Sequence, residues 1–250
     1  GHGLGALLLR DPVSKEASFA QVGPEYGAGI GYVIGDEADK EKARVMTLTG
    51  ANSHHQEVGP LGGTRWKLVE LVPLEFVPPF TAKVFDFGSD GHVRTTTAYP
   101  DGTVDLTDEI YRVVGNTLIV NRPGYIINSK FEIRDNQMRV HAQEFEAALV
   151  PFSPTNLTQG DFRCDDVSFK DAGGDVWVEG TIKNTSGADY KYVVLYISVY
   201  DLAEKVIRSS SFMLHDFGNG ARQPFRTLIV GGNKSKIAAF RVQYSLGRKD

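Results

Sequence analysis

Ala82-Lys-Val-Phe-Asp-Phe87, Gly88-Ser-Asp-Gly91, His92-Val-Arg-Thr-Thr-Thr97 reads as strand, turn, strand. Val84 and the two phenylalanines are arranged as in a half-buried strand, Gly88–Gly91 has turn chemistry, and the run after His92 is β-branched. The same grammar repeats downstream. Tyr99-Pro-Asp-Gly102 is a turn, followed by apolar runs at Ile110–Val114, Thr117–Val120, Tyr125–Asn128, Lys130–Ile133, Gln137–His141 and Glu144–Val150. Gly115-Asn116 and Asp135-Asn136 punctuate them. Upstream, Trp66–Val72 reads as one more strand. Short strands at this spacing, joined by Gly, Asn and Asp turns, predict an antiparallel meander that curls into a barrel over residues 63–152.

Pro151–Gly160 is rich in Pro, Ser and Thr and aperiodic, and is read as a linker. Beyond it, Phe162–Lys170, Asp175–Lys183, Tyr190–Tyr200, Val206–Leu214, Gln223–Val230 and Ala238–Ser245 read as strands. Their number and the length of residues 161–250 fit a two-sheet sandwich. Val193, Leu195, Ile197 and Val199 are expected to pack inward. Residues 1–62 read as an irregular segment with a short helix near 27–46, because Asp36–Val45 holds helix formers with Glu37 and Glu41 preceding Lys40, Lys42 and Arg44. The predicted fold class is all-β: a small barrel, then a sandwich, with a short N-terminal helix.

Bulk properties narrow the function. A net charge of −4 argues against nucleic-acid binding, which usually brings a basic stripe. One cysteine, Cys164, gives no intrachain disulfide, and its neighbours Asp165 and Asp166 disfavour a reactive thiolate. The longest apolar runs, Ala6–Leu9 and Tyr192–Ile197, fall far short of the ~20 residues of a membrane-spanning helix. The chain opens Gly-His-Gly-Leu-Gly without Met, read as a start inside a longer precursor whose signal sequence has been removed.

Three stretches resemble known families. Gly27-Ala-Gly-Ile-Gly-Tyr-Val-Ile-Gly35, running on to Ala43, resembles the closing part of glycine-zipper segments in bacterial envelope lipoproteins. Gly27, Gly31 and Gly35 share a helix face and are expected to allow close helix packing. Residues 63–152 look like small lipocalin-like domains of envelope proteins. The shared cues are Trp66, the hairpin Phe85-Asp-Phe-Gly-Ser-Asp-Gly91 and Tyr111-Arg-Val-Val-Gly-Asn-Thr-Leu118. Asp175–Phe240 is similar to immunoglobulin-like sandwiches of the FxLyD and LEA14 type, through Val178–Ser186, Tyr196–Asp201 and Pro224-Phe225. Those families imply non-enzymatic modules, with an address in the periplasm or at the outer-membrane periphery.

Several constellations have a chemical reading and a plainer one. His54-His55 with Glu57 point to opposite sides of an extended segment and make a poor chelate. Asp161, Asp165, Asp166, Asp171 and Asp175 do not follow a calcium-loop spacing. Ser209–Ser211 with His215-Asp216 lack a nucleophile elbow, and Asp105, Asp108 and Glu109 beside Tyr111 read as a solvated turn. Asn156, Asn184 and Asn233 head glycosylation sequons that are chance matches in a bacterial protein. Tyr190, Tyr192, Tyr196 and Tyr200 are evenly spaced, so on a regular strand they form one face, offered here as an interaction face.

The expectation is therefore a non-enzymatic bacterial envelope protein without metal or cofactor. It would act through envelope proteins or self-association, with peripheral membrane contact. The alternative is a small apolar ligand or lipid held in the barrel by Trp66, Phe85, Phe87, Tyr111 and Phe131, although at this length a barrel filled by its own side chains is the first expectation.

Overall fold

The computed structural model describes residues 6–10, 17–21, 57–73 and 79–249. The helix near 27–46, with Gly27, Gly31 and Gly35, and the His54-His55 pair lie outside them. The leucine-rich run near the start forms β1 (Ala6–Arg10), paired antiparallel with β2 (Ala17–Gln21). The sequence reading placed no strand before Thr64, because a short unbroken apolar run has no period to assign.

The strand–turn grammar closes into a barrel. Its strands are β3 (Thr64–Val72), β4 (Ala82–Phe87), β5 (His92–Ala98), β6 (Val104–Val114), β7 (Thr117–Arg122), β8 (Tyr125–Arg134), β9 (Gln137–His141) and β10 (Glu146–Pro151). Each pairs with the next in sequence, and β10 closes the ring on β3. The turns follow their residues. Asp135 and Asn136 both take left-handed backbone, φ 48° and 61°, which matches the twist of a two-residue hairpin. In the β4–β5 hairpin Gly91 has φ 79°, and Asp90 Oδ1 accepts the His92 amide at 3.1 Å.

The sandwich has two sheets. One holds β12 (Phe162–Asp171), β13 (Val176–Asn184) and β16 (Arg222–Ile229). The other holds β14 (Tyr190–Tyr200) between β15 (Val206–Phe217) and β17 (Ala239–Lys249). Its outermost member is β11 (Thr155–Asn156), which pairs parallel with β17. The stretch read as a linker thus contributes a strand: Thr155 and Leu157 donate amides to Ala238 and Phe240. Val193, Leu195, Ile197 and Val199 are fully buried, facing Val178 and Ile182 of β13 and Phe225 of β16 in one core. Cys164 lies in this core, and burial pushes its thiol pKa up to about 12, with Asp165 adding to the rise and a Thr158 hydrogen bond opposing it.

A buried polar junction joins barrel and sandwich. Val84 and Asp86 point outward from β4, yet both are buried, Asp86 by the 3-10 turn Lys234–Lys236. Ser235 Oγ donates to Asp86 Oδ2 at 2.8 Å, and its carbonyl accepts from Thr96 Oγ1 at 2.9 Å and Arg65 Nη2 at 3.0 Å. Arg65 Nη1 donates to the Ile237 carbonyl at 3.1 Å, and its guanidinium lies 4.9 Å from the Phe152 ring centre. The junction orders the sandwich against the outer wall of β3–β5 and leaves the barrel interior untouched.

Candidate functional site

Inside the barrel, alternate residues of every strand converge. One end is filled. Trp66, Phe87, Tyr111, Val113 and Phe131 are buried there, and Leu61 of the 3-10 turn Gly59–Leu61 plugs the gap at 0% exposure. The polar tips are tied down: Trp66 Nε1 donates to Thr64 Oγ1 at 2.8 Å, and Tyr111 Oη donates to the Gly88 carbonyl at 2.9 Å. Phe87 and Tyr111 meet edge to face at 5.1 Å. Burial raises the Tyr111 phenol pKa, with Asp90 and Asp86 adding to it, so the hydroxyl stays a donor.

The rest of the interior is not filled. A cavity of about 260 Å³ remains, lined from all eight strands and walled mainly by apolar side chains, β6 contributing only Glu109. That overturns the expectation of a barrel packed solid by its own residues. A β-bulge contributes to its shape. The β3–β10 register slips between Ala148 and Leu149, so that Leu68 and Leu71, three apart, both reach the cavity. Of the five predicted lining residues, Phe85 and Phe87 line the cavity. Trp66, Tyr111 and Phe131 do not; they build its closed floor. Aromatic identity gives no depth along the barrel axis, which is why sequence grouped the five together.

Three charged residues also line this cavity: Lys83 and Arg122, which the sequence reading does not single out, and Glu109, which it places on a turn. Lys83 shares its strand parity with Phe85 and Phe87, Glu109 with Tyr111 and Val113, and Arg122 with Leu118 and Val120. That shared parity is the signal that could have found them. Glu109 is on strand β6, not on the solvated turn that was expected, and is only 12% exposed. Its Oε1 lies 2.8 Å from Arg122 Nε, an ion pair whose N–H is not aligned as a hydrogen bond. Arg122 Nη1 donates to Tyr125 Oη at 3.1 Å. Lys83 Nζ lies 5.4 Å from the Phe80 ring centre. Burial holds the Lys83 ammonium below the usual lysine range; Arg122 pushes the same way and Glu109 opposes.

One further group marks the wall. Thr95, opposite Phe85 in the β4–β5 register, is 5% exposed, and its Oγ1 has no hydrogen-bond partner. Buried hydroxyls are normally satisfied, so an unpaired one on a cavity wall is capacity held for something else.

No family model and no curated protein matches the chain. It is similar to a solved structure of a DUF1425 family member from Shewanella sp. pv-4, at 10% identity over 54% of this chain and 94% of that chain, with a TM-score of 0.23. A likeness that slight carries no argument about function, which is left to the barrel's own geometry.

The remaining candidates are dispersed by the fold. Tyr192, Tyr196 and Tyr200 face outward on β14, but Tyr190 does not join them: it is 6% exposed and packs against Phe162 and Tyr244 at 5.9 and 6.2 Å. The reason is a register shift between Tyr190 and Tyr192, which breaks the even-spacing rule at that point. Across the outer face, Met213, Val194 and Leu246 stand side by side next to Tyr196. Ser209 and Ser210 are taken up by Ser198 and Thr227, both within 2.9 Å. Asp108 is paired with His92 and Arg94. Asp165 pairs with Arg222 at 2.8 Å, and Asp175 accepts the Gly231 amide. Asn184 is fully buried, so its sequon offers no acceptor for glycosylation.

Proposed function

We propose that this chain is a non-enzymatic binding protein of the bacterial envelope whose barrel holds one small apolar ligand. The observation behind the reading is the cavity of about 260 Å³, apolar on its walls, floored by aromatics and carrying an unpaired buried hydroxyl at Thr95. Ligand sites are concave and mostly apolar with a few placed polar groups, and their volumes start near ~300 Å³, so a single slender chain is the size of occupant that fits. A void of this kind costs packing energy when empty, and an occupant restores the lost contacts.

The envelope address draws on the resemblances of residues 27–43, 63–152 and 175–240. Contact with envelope proteins through the sandwich is a second reading, favoured by the strip Met213, Val194, Leu246 and Tyr196, three of which are about half exposed. The barrel has the more developed chemistry.

Calorimetric titration of the chain with decanol tests the reading. Saturable binding of one equivalent is expected, abolished by Val120→Trp, which places an indole in the cavity. Absence of saturable binding by the unsubstituted chain, or unchanged binding by a folded Val120→Trp variant, would refute it.

A further inference from the structure

The barrel's charges are not distributed evenly around its wall. Lys83, Glu109 and Arg122 come from β4, β6 and β7, and each is at the inward parity of its strand, beyond the apolar residues that form the body of the cavity. All three keep partial contact with solvent: Lys83 is half-buried, Arg122 is 35% exposed along its side chain and Glu109 12%. They therefore stand between the apolar interior and water. Two cations against one carboxylate leave the group with one excess positive charge. The chain as a whole carries −4, so this local sign is not a reflection of the bulk.

Glu109 is committed to Arg122, at 2.8 Å. Lys83 has no carboxylate within ion-pair distance among the described residues and rests over the Phe80 ring. Arg122 Nε–H is buried with no aligned acceptor, and Thr95 Oγ1, nine-tenths buried on the neighbouring strand, has none either. A cation, Lys83, and a buried hydroxyl, Thr95, thus face one apolar cavity with hydrogen-bonding capacity that the barrel does not use. Unsatisfied buried polar atoms are costly, and charge-assisted hydrogen bonds to an anion are the strongest way to satisfy donors of this kind.

We propose that the barrel selects a single-chain amphiphile with a carboxylate head, its chain among Phe85, Val120 and Leu149 and its head against Lys83 and Arg122. The inference rests on the ligand-binding reading above and adds the headgroup to it. Lys83 is the selective element, because Arg122 already answers to Glu109. An uncharged head would leave the excess cation without a partner, and a cationic head would be repelled by it.

Calorimetric titration of the full chain with decanoate, decanol and decyltrimethylammonium, each below its micelle concentration, tests it. Decanoate is expected to bind about tenfold more tightly than decanol, the worth of one good charge-assisted contact. The quaternary amine should bind no better than decanol. In Lys83→Met the advantage of decanoate should vanish while decanol affinity is retained, and Lys83→Arg should restore it. Equal affinity for decanoate and decanol, or an advantage that survives Lys83→Met, overturns the headgroup assignment while leaving a ligand-binding barrel. Binding of none of the three removes the barrel reading itself. Retained decanol binding shows that the Lys83→Met variant is folded, so a lost decanoate preference is not a folding artefact.

Discussion

Asp86→Ala is expected to lower the unfolding free energy by about 3–5 kcal/mol, the usual cost of stripping one partner from a buried charge. The Asp86 and Arg65 side chains are 7% and 8% exposed, with Asp86 Oδ2 3.7 Å from Arg65 Nε. Burial already depresses the Arg65 pKa, and the Asp86 charge is what opposes that depression. Remove the carboxylate and the guanidinium keeps its desolvation cost with no counter-charge, only the Ser235 and Ile237 carbonyls, while Ser235 Oγ loses its acceptor. The damage is placed where barrel meets sandwich, so cooperativity should suffer as well as stability. Trp66 lies in the barrel and Trp177 in the sandwich, one reporter for each. Urea unfolding followed at single-tryptophan variants should show coincident transitions in the parent and separated ones in Asp86→Ala. A loss below about 1 kcal/mol would mean that the junction is an incidental contact.

The second large effect is at Asn184, at the end of β13 and fully buried. Its Nδ2 donates to the carbonyls of Ala188 and Phe217, both at 2.9 Å, and its Oδ1 accepts from the Ser186 amide at 3.0 Å and the Ser186 hydroxyl at 2.7 Å. One amide therefore ties the loop between β13 and β14 to the end of β15. Asn184→Leu keeps the branched shape, with bulkier methyls in place of the amide oxygen and nitrogen, and removes every one of these bonds. The buried Phe217 carbonyl then bears its full desolvation cost, and the partly buried groups share a smaller one, for a total of about 3 kcal/mol. Asn184→Asp should lose at least as much near neutral pH: the Ser186 contacts survive, but a buried carboxylate oxygen then faces the Ala188 and Phe217 carbonyls that Nδ2 now satisfies. Thermal unfolding of the two variants checks the order; equal melting temperatures for Asn184→Leu and the parent would contradict the assignment.

The barrel and sandwich were legible because their turns announce themselves and their strands alternate. Asp135-Asn136 takes the backbone that its residues favour, and Val193 to Val199 pack inward as their spacing predicts. The candidate site was only half legible. Phe85 and Phe87 were found because apolar residues in a strand are presumed to face inward; Lys83, two residues before Phe85 and at the same parity, was missed because a charge is presumed to face water. Barrel mouths break that presumption, since an inward residue near the rim is half in solvent. Tyr190 failed for a different reason: period-two reasoning has no way to see a bulge before the partner strand is known. The β11 pairing was hidden because two residues carry no period at all.

The most direct test of the central claim is a methyl NMR titration of the intact chain with decanol. Shifts are predicted at the methyls of Leu68, Leu118, Val120, Ile127 and Leu149, which line the cavity, saturating at one equivalent. The methyls of Val178, Leu195 and Ile229 in the sandwich core should stay in place. Shifts confined to exposed methyls such as those of Val72, Val206 and Leu246, with the cavity methyls unmoved, would contradict a ligand-binding barrel.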